Sequence, residues 1–174
     1  ASADLFWVYF EIPNEKKLSD IDSFLRDLWM ECCGHLSMFS INNIRYSSHE
    51  EELDIDEQSM KQKISFVIKP GDKFLYEYDF GTTTELSLAC IREKTGNNKI
   101  TIIARNKLPE LKCSACDKPA AEICSQCIYD GDGLLCKKCA KEHECGEEML
   151  LPYVNSPRSG MCGFTGDDCP LLDK

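Results

Sequence analysis

CSACDKPAAEICSQCIYDGDGLLCKKCAKEHEC, residues 113–145, contains three Cys-x-x-Cys doublets, Cys113/Cys116, Cys124/Cys127 and Cys136/Cys139, followed by His143 and Cys145. A two-residue gap lets two thiolates turn inward onto one tetrahedral ion, so three doublets in so short a run read as a zinc-binding segment. The ligand supply is enough for two zinc ions. A stretch this short buries little apolar area, and its folding free energy has to come from the metal. The small polar residues of CSAC and CSQC suit knuckle turns, and Leu134 and Leu135 read as a strand that delivers Cys136. Cys139 is expected to open a short helix, CAKEH, whose first amides could donate to sulfur. Tyr129-Asp130-Gly131-Asp132-Gly133 reverses the chain between doublets; its aspartates lack the downstream Glu of a calcium loop and read as turn formers. An iron–sulfur cluster or a redox dithiol fits this spacing poorly.

The doublets could bind in chain order or interleaved. Three doublets separated by seven and then eight residues, followed by His and Cys, resemble the cross-brace pattern of B-box and MYND-type zinc fingers. The resemblance implies Cys113, Cys116, Cys136 and Cys139 on one zinc. It implies Cys124 and Cys127 on the other, completed by two of His143, Cys145 and Cys162. His143 and Cys145 stand closer together than those fingers usually show, which makes Cys162 a candidate eighth ligand and Cys169 a weaker one.

Twelve cysteines in 174 residues would also suit a secreted disulfide framework, but that reading wants a leader peptide and scattered half-cystines. Ala1 to Phe10 has no basic stretch ahead of its apolar residues, and no apolar run approaches the roughly 18 residues of a membrane span. The expected compartment is the reducing cytoplasm, away from membranes. The formal charge is −10, shared equally: residues 1–108 carry 18 acids against 13 bases, and residues 109–174 carry 12 against 7. Two zinc ions on seven thiolates and one imidazole would add three further negative units. Such a surface repels phosphate backbones and disfavours nucleic acid as a partner.

Residues 1–108 must build an ordinary core, and 109–174 form the zinc-binding module with its tail; the boundary is set by Pro109. Leu5 to Ile12 reads as a mostly buried strand closed by Pro13. Leu18, Ile21, Leu25, Leu28, Trp29 and Cys32 fall at helical spacing, Ser19 with Asp22 resembles a capping box, and Gly34 can stop the helix. Asn42 and Asn43 predict a tight hairpin. Ser48 to Ser59 reads as an acidic loop, and Met60 to Ile68 as a short helix before Pro70. Phe74, Tyr76, Tyr78 and Phe80 alternate with Glu77 and Asp79. Thr84 to Arg92 and Lys99 to Ala104 read as strands joined by a hairpin turn at Gly96, Asn97 and Asn98. The sum is an α+β fold with a mainly antiparallel sheet and one main helix, plus a small zinc-stabilised module.

Several residues admit a functional and a plainer reading. Cys32, Cys33 and His35 could form a further metal or thiol site, but Cys32 as helix core and His35 as a capping group is the simpler assignment. Glu77 and Asp79 could pair for acid–base work or a cation, or simply line a solvated sheet face. The aromatic row could stack bases, yet without interleaved Lys or Arg it reads as core. Asn155-Ser156-Pro157-Arg158 could offer an arginine to a partner's carboxylate, or tether Cys162.

Trp29, then Cys33-Gly34-His35-Leu36-Ser37-Met38-Phe39, Tyr46, and above all Tyr76-Glu77-Tyr78-Asp79-Phe80-Gly81 resemble the plasmid ORF-three-like family named from a Ri-type plasmid, some of whose members are labelled TnpR-like transposon passengers. The resemblance covers residues 4–104 and implies a compact α+β fold with a hairpin after the first helix. After Gly81 the chain departs, with Thr82, Thr83, Thr84 and Glu85 where many members have an acidic residue, Trp and His. The zinc tail resembles extensions in a subset of that family. No nucleophile–base–orienter set is evident, so no catalytic residue is assigned. The expected role is a protein-interaction module, with plasmid- or transposon-linked nucleic-acid association as the second reading and an uncharacterised enzyme as the third.

Overall fold

The computed structural model describes residues 5–51, 53–96 and 98–166. They form two compact units with an α+β content, mainly antiparallel sheets and one main helix.

One unit takes its described residues from Val8 to Arg26 and from Gly34 to Arg105. Strand β1 (Val8–Glu11) leads to helix α1 (Leu18–Leu25), whose Leu18, Ile21, Phe24 and Leu25 are buried along one face. The Asp20 carboxylate accepts the Lys17 amide at 2.8 Å. The capping interaction is therefore set two residues before the expected Ser19–Asp22 pair, and Asp22 turns inward instead. Beyond Leu25 the helix widens into a π turn over Arg26–Met30.

Strands β2 (Ser37–Ile41) and β3 (Ile44–Ser47) make the expected hairpin. Asn42 and Asn43 sit at φ +50° and +65°, the two left-handed positions that a primed turn requires and asparagine tolerates. Strand β4 (Glu57–Ser59) runs parallel to β3, so the acidic segment expected to be a loop ends in an edge strand. Helix α2 (Ile64–Val67) is a single turn at the expected place. Strands β5 (Lys73–Tyr78) and β6 (Thr84–Ala89) complete a five-stranded sheet in the order β4-β3-β2-β5-β6.

Two expectations are corrected. Strand β7 (Thr101–Arg105) pairs with β1 and not with β6, so the predicted hairpin does not form; Asn97 of its turn lies outside the described residues. Because β1 and β7 make a ribbon of only two strands, β1 is half-covered, with Tyr9 exposed, rather than mostly buried.

The aromatic row is core: Phe74, Tyr76 and Tyr78 are buried, and the Phe39 ring lies 4.8 Å from Tyr76 and 6.2 Å from Phe74. Phe80, past the strand end, is exposed. A polar network is embedded in this core. Asp22 accepts from Ser37 Oγ at 2.6 Å, from Tyr76 Oη at 2.8 Å and from Arg26 Nε at 2.8 Å. Arg26 also donates to the His35 carbonyl at 2.7 Å and stacks over the Tyr78 ring at 4.8 Å. Every buried charge in this set has a counter-charge or a donor, as burial demands.

The other unit takes its described residues from 5–7, Asp27–Cys33 and 106–166. Strands β8 (Glu122–Cys124), β9 (Leu134–Leu135) and β10 (Leu150–Pro152) form an antiparallel sheet ordered β10-β8-β9, and helix α3 (Lys137–Lys141) follows β9. Its buried cluster is Cys113, Cys124, Leu135, Cys136 and Ala140, so sulfur takes the place of most of the hydrocarbon. Asn106 and Asn155 exchange hydrogen bonds, and Ser156 Oγ donates to the Trp29 carbonyl at 2.7 Å.

Candidate metal centres

Each doublet is delivered by a short, defined turn. The first hangs from a bridge between Lys112 and Pro119, with the Cys113 amide donating to the Lys118 carbonyl at 2.8 Å and the Ser114 amide to that of Leu134 at 2.7 Å. The second begins at the end of β8 and continues as a 3-10 turn, Cys127–Asp130, closed by Gly131 at φ +87°. Gly133 passes so close to this turn that a Cβ there would lie 2.6 Å from the Ile128 nitrogen and 2.9 Å from the Cys124 oxygen. The third doublet straddles the start of α3: Cys136 is the N-cap and Cys139 lies inside the helix. The helix therefore opens two residues earlier than expected, and its amides serve Cys136.

The turns bring the ligands together in two interleaved sets. Cys113, Cys116, Cys136 and Cys139 each offer a sulfur, and all four atoms lie within 4.8 Å of one another. Cys124, Cys127, His143 and Cys145 do the same with three sulfurs and an imidazole nitrogen. Within the first set Cys116 Sγ is 3.7 Å from the sulfurs of Cys136 and Cys139. Within the second, Cys127 Sγ lies 3.5 Å from both Cys145 Sγ and His143 Nε2. Both sets could hold a metal ion, and each provides four ligand atoms.

Electrostatics divide the sulfurs into two kinds. The backbone amides of Cys139 and Lys138 draw the Cys136 thiol down to about 6, against the opposing effect of burial. Burial pushes Cys124 upward, but the amides of Cys127 and Gln126 and the side chains of His143 and Cys127 outweigh it and bring that thiol to about 7. Cys139 is held up to about 12, chiefly by Cys136 and Cys116, and Cys127 to about 12 by Cys145 and Cys124. Backbone amides thus favour the thiolate at Cys136 and Cys124, and at Cys113 as well, while Cys139 and Cys127 are held toward the protonated form, and a divalent cation is the species that would displace those protons.

Cys162 does not join the second set. It lies in the same unit beside Cys33, sulfur to sulfur 3.4 Å, and Cys33 is 3.5 Å from Cys32. Cys32 is past the helical turn and only partly buried, so it is not helix core. Cys169 lies outside the described residues. Asp79 leaves the strand alternation at φ +64°; its Oδ1 accepts the amides of Gly81 and Thr82, and its Oδ2 lies 3.5 Å from His35 Nε2. Glu77 and Asp79 therefore do not form a carboxylate pair on one strand face. Arg158 is fully buried, with Nη2 3.8 Å from Cys32 Sγ, and is not presented to a partner.

Among the described residues no helix is long and apolar enough to cross a membrane. No protein-family model, curated protein or solved structure matches the chain.

Proposed function

We propose that the chain is a cytoplasmic zinc protein in which two closed, interleaved zinc centres hold a small module in shape to engage a protein partner. The interleaved tetrads are the observation that carries this reading. Thiolates about 2.3 Å from a tetrahedral zinc are separated by roughly 3.8 Å, and the 3.7 Å spacings around Cys116 approach that value. The donor sets, four sulfurs in one and three sulfurs with an imidazole in the other, belong to the structural zinc repertoire. Four protein ligands in each set leave no position for a reacting water, which favours scaffold over catalyst.

A partner of protein character is favoured by the net charge of −10, which repels nucleic-acid backbones. Tyr129, exposed on the glycine-rich turn between the second and third doublets, is the kind of rigid aromatic anchor that interfaces use. The test places a photocrosslinking residue at position 129 of the full chain in cells. A discrete partner band is expected, absent when Cys116 and Cys136 are both replaced by Ser. No band, or the same band in the variant, contradicts the reading, as does retention on a nucleic-acid column at low salt with a steep loss as salt rises.

A further inference from the structure

We infer that Cys32, Cys33 and Cys162 form a third zinc site, separate from the two interleaved centres. The three thiols belong to one unit and come from segments 129 residues apart in sequence, yet their sulfurs lie within 4.8 Å of one another. None of the three is in a disulfide. Their spacings of 3.4 and 3.5 Å are far beyond the roughly 2.05 Å of a disulfide and near the edge of a zinc–thiolate tetrahedron.

The backbone on both sides is shaped to present them. Cys162 stands at φ +50°, a conformation side-chain-bearing residues seldom adopt, between Gly160 at φ +87° and Gly163 at φ +73°. Turn hydrogen bonds from the Met161 amide to the Arg158 carbonyl and from the Phe164 amide to the Met161 carbonyl, 2.9 Å each, hold this loop. On the other segment Gly34, at φ +76°, turns the chain between Cys33 and His35.

A neighbouring charge fits an anionic metal centre. Zinc with three thiolates carries one net negative charge. The fully buried Arg158 guanidinium, against Cys32 Sγ, supplies one positive charge where an unbalanced ion would be costly.

The experiment is native mass spectrometry of the reduced full chain, with zinc as the only added metal. Three zinc ions per chain are expected, falling to two in Cys162→Ser and in Cys33→Ser. Two ions in the wild type, or three retained in both variants, overturns the third site while leaving the paired centres standing. Should the variants fail to fold, alkylation mapping of the wild type decides: Cys32, Cys33 and Cys162 are expected to resist iodoacetamide until a chelator is added. Immediate alkylation of all three with zinc present overturns the assignment.

Discussion

Cys116 Sγ lies 3.7 Å from Cys136 Sγ although Cys124 and Cys127, between them in sequence, belong to the other ligand set. Interleaving of this kind ties the module into one cooperative object, because neither set can be assembled without placing the strand and turns that carry the other. Loss of one ion should therefore loosen both sets.

Metal removal should unfold this module selectively. Its buried cluster holds mainly sulfur, so little apolar area remains when the ions leave. Structural zinc contributes on the order of 10 kcal/mol of apparent binding free energy per ion. Reductant plus a strong chelator is expected to abolish amide-exchange protection at Cys124 and Ala121 while β2, β3 and β5 stay protected, as read by hydrogen exchange with mass detection.

Gly133→Ala should damage the second set without touching a ligand. The added methyl would meet backbone atoms of Ile128 and Cys124 at 2.6 to 2.9 Å, and backbone cannot swing aside as a side chain tip can. Overpacking of this type costs roughly 1–3 kcal/mol. The expected result is faster zinc loss to a chelator from the Cys124/Cys127 centre. Gly131→Ala, in open space but at φ +87°, should cost less, about 1 kcal/mol.

Asp22→Ala should be among the most destabilising single changes in the sheet-bearing unit. It strips Arg26, Ser37 and Tyr76 of a common acceptor. Removing one partner of a buried ion pair costs about 3–5 kcal/mol; the pair is not fully enclosed, so a loss of about 3 kcal/mol is expected in urea denaturation.

Alkali should destabilise the fold through its tyrosines. Burial first, then the Asp22 charge, raises the Tyr76 hydroxyl well above its ordinary value of 10.0, and burial raises Tyr46 and Tyr153 as well. A raised folded-state value means the stabilisation is complete below pH 10 and is lost as pH climbs from 10 toward the folded value. Urea midpoints should be flat from this source between pH 8 and 9.5 and decline above 10, with Tyr76→Phe weakening the decline.

What the sequence disclosed was local or periodic. Asn42-Asn43 marked its hairpin, the Leu18–Leu25 spacing marked its helix, and the doublet order, by its likeness to cross-brace fingers, pointed to the pairing of Cys113 and Cys116 with Cys136 and Cys139. What it hid depended on distant partners or on backbone departures. The pairing of β7 with β1 spans almost the whole unit, and a hairpin turn at Gly96 and Asn98 was the nearer alternative. Asp79 read as a strand residue because nothing local announces its left-handed φ. Cys162 read as a ligand for the nearest doublets; its neighbour, Cys33, lies 129 positions away, and the burial of Arg158 beside Cys32 has no trace in a polar loop sequence.

Counting zinc per chain in Cys116→Ser, Cys136→Ser and the double variant tests the interleaved centres most directly. Each single change is expected to remove the same one ion, and the double variant no more than either alone. A chain that binds less than one zinc, or a double variant that loses one ion more than each single variant, contradicts the account.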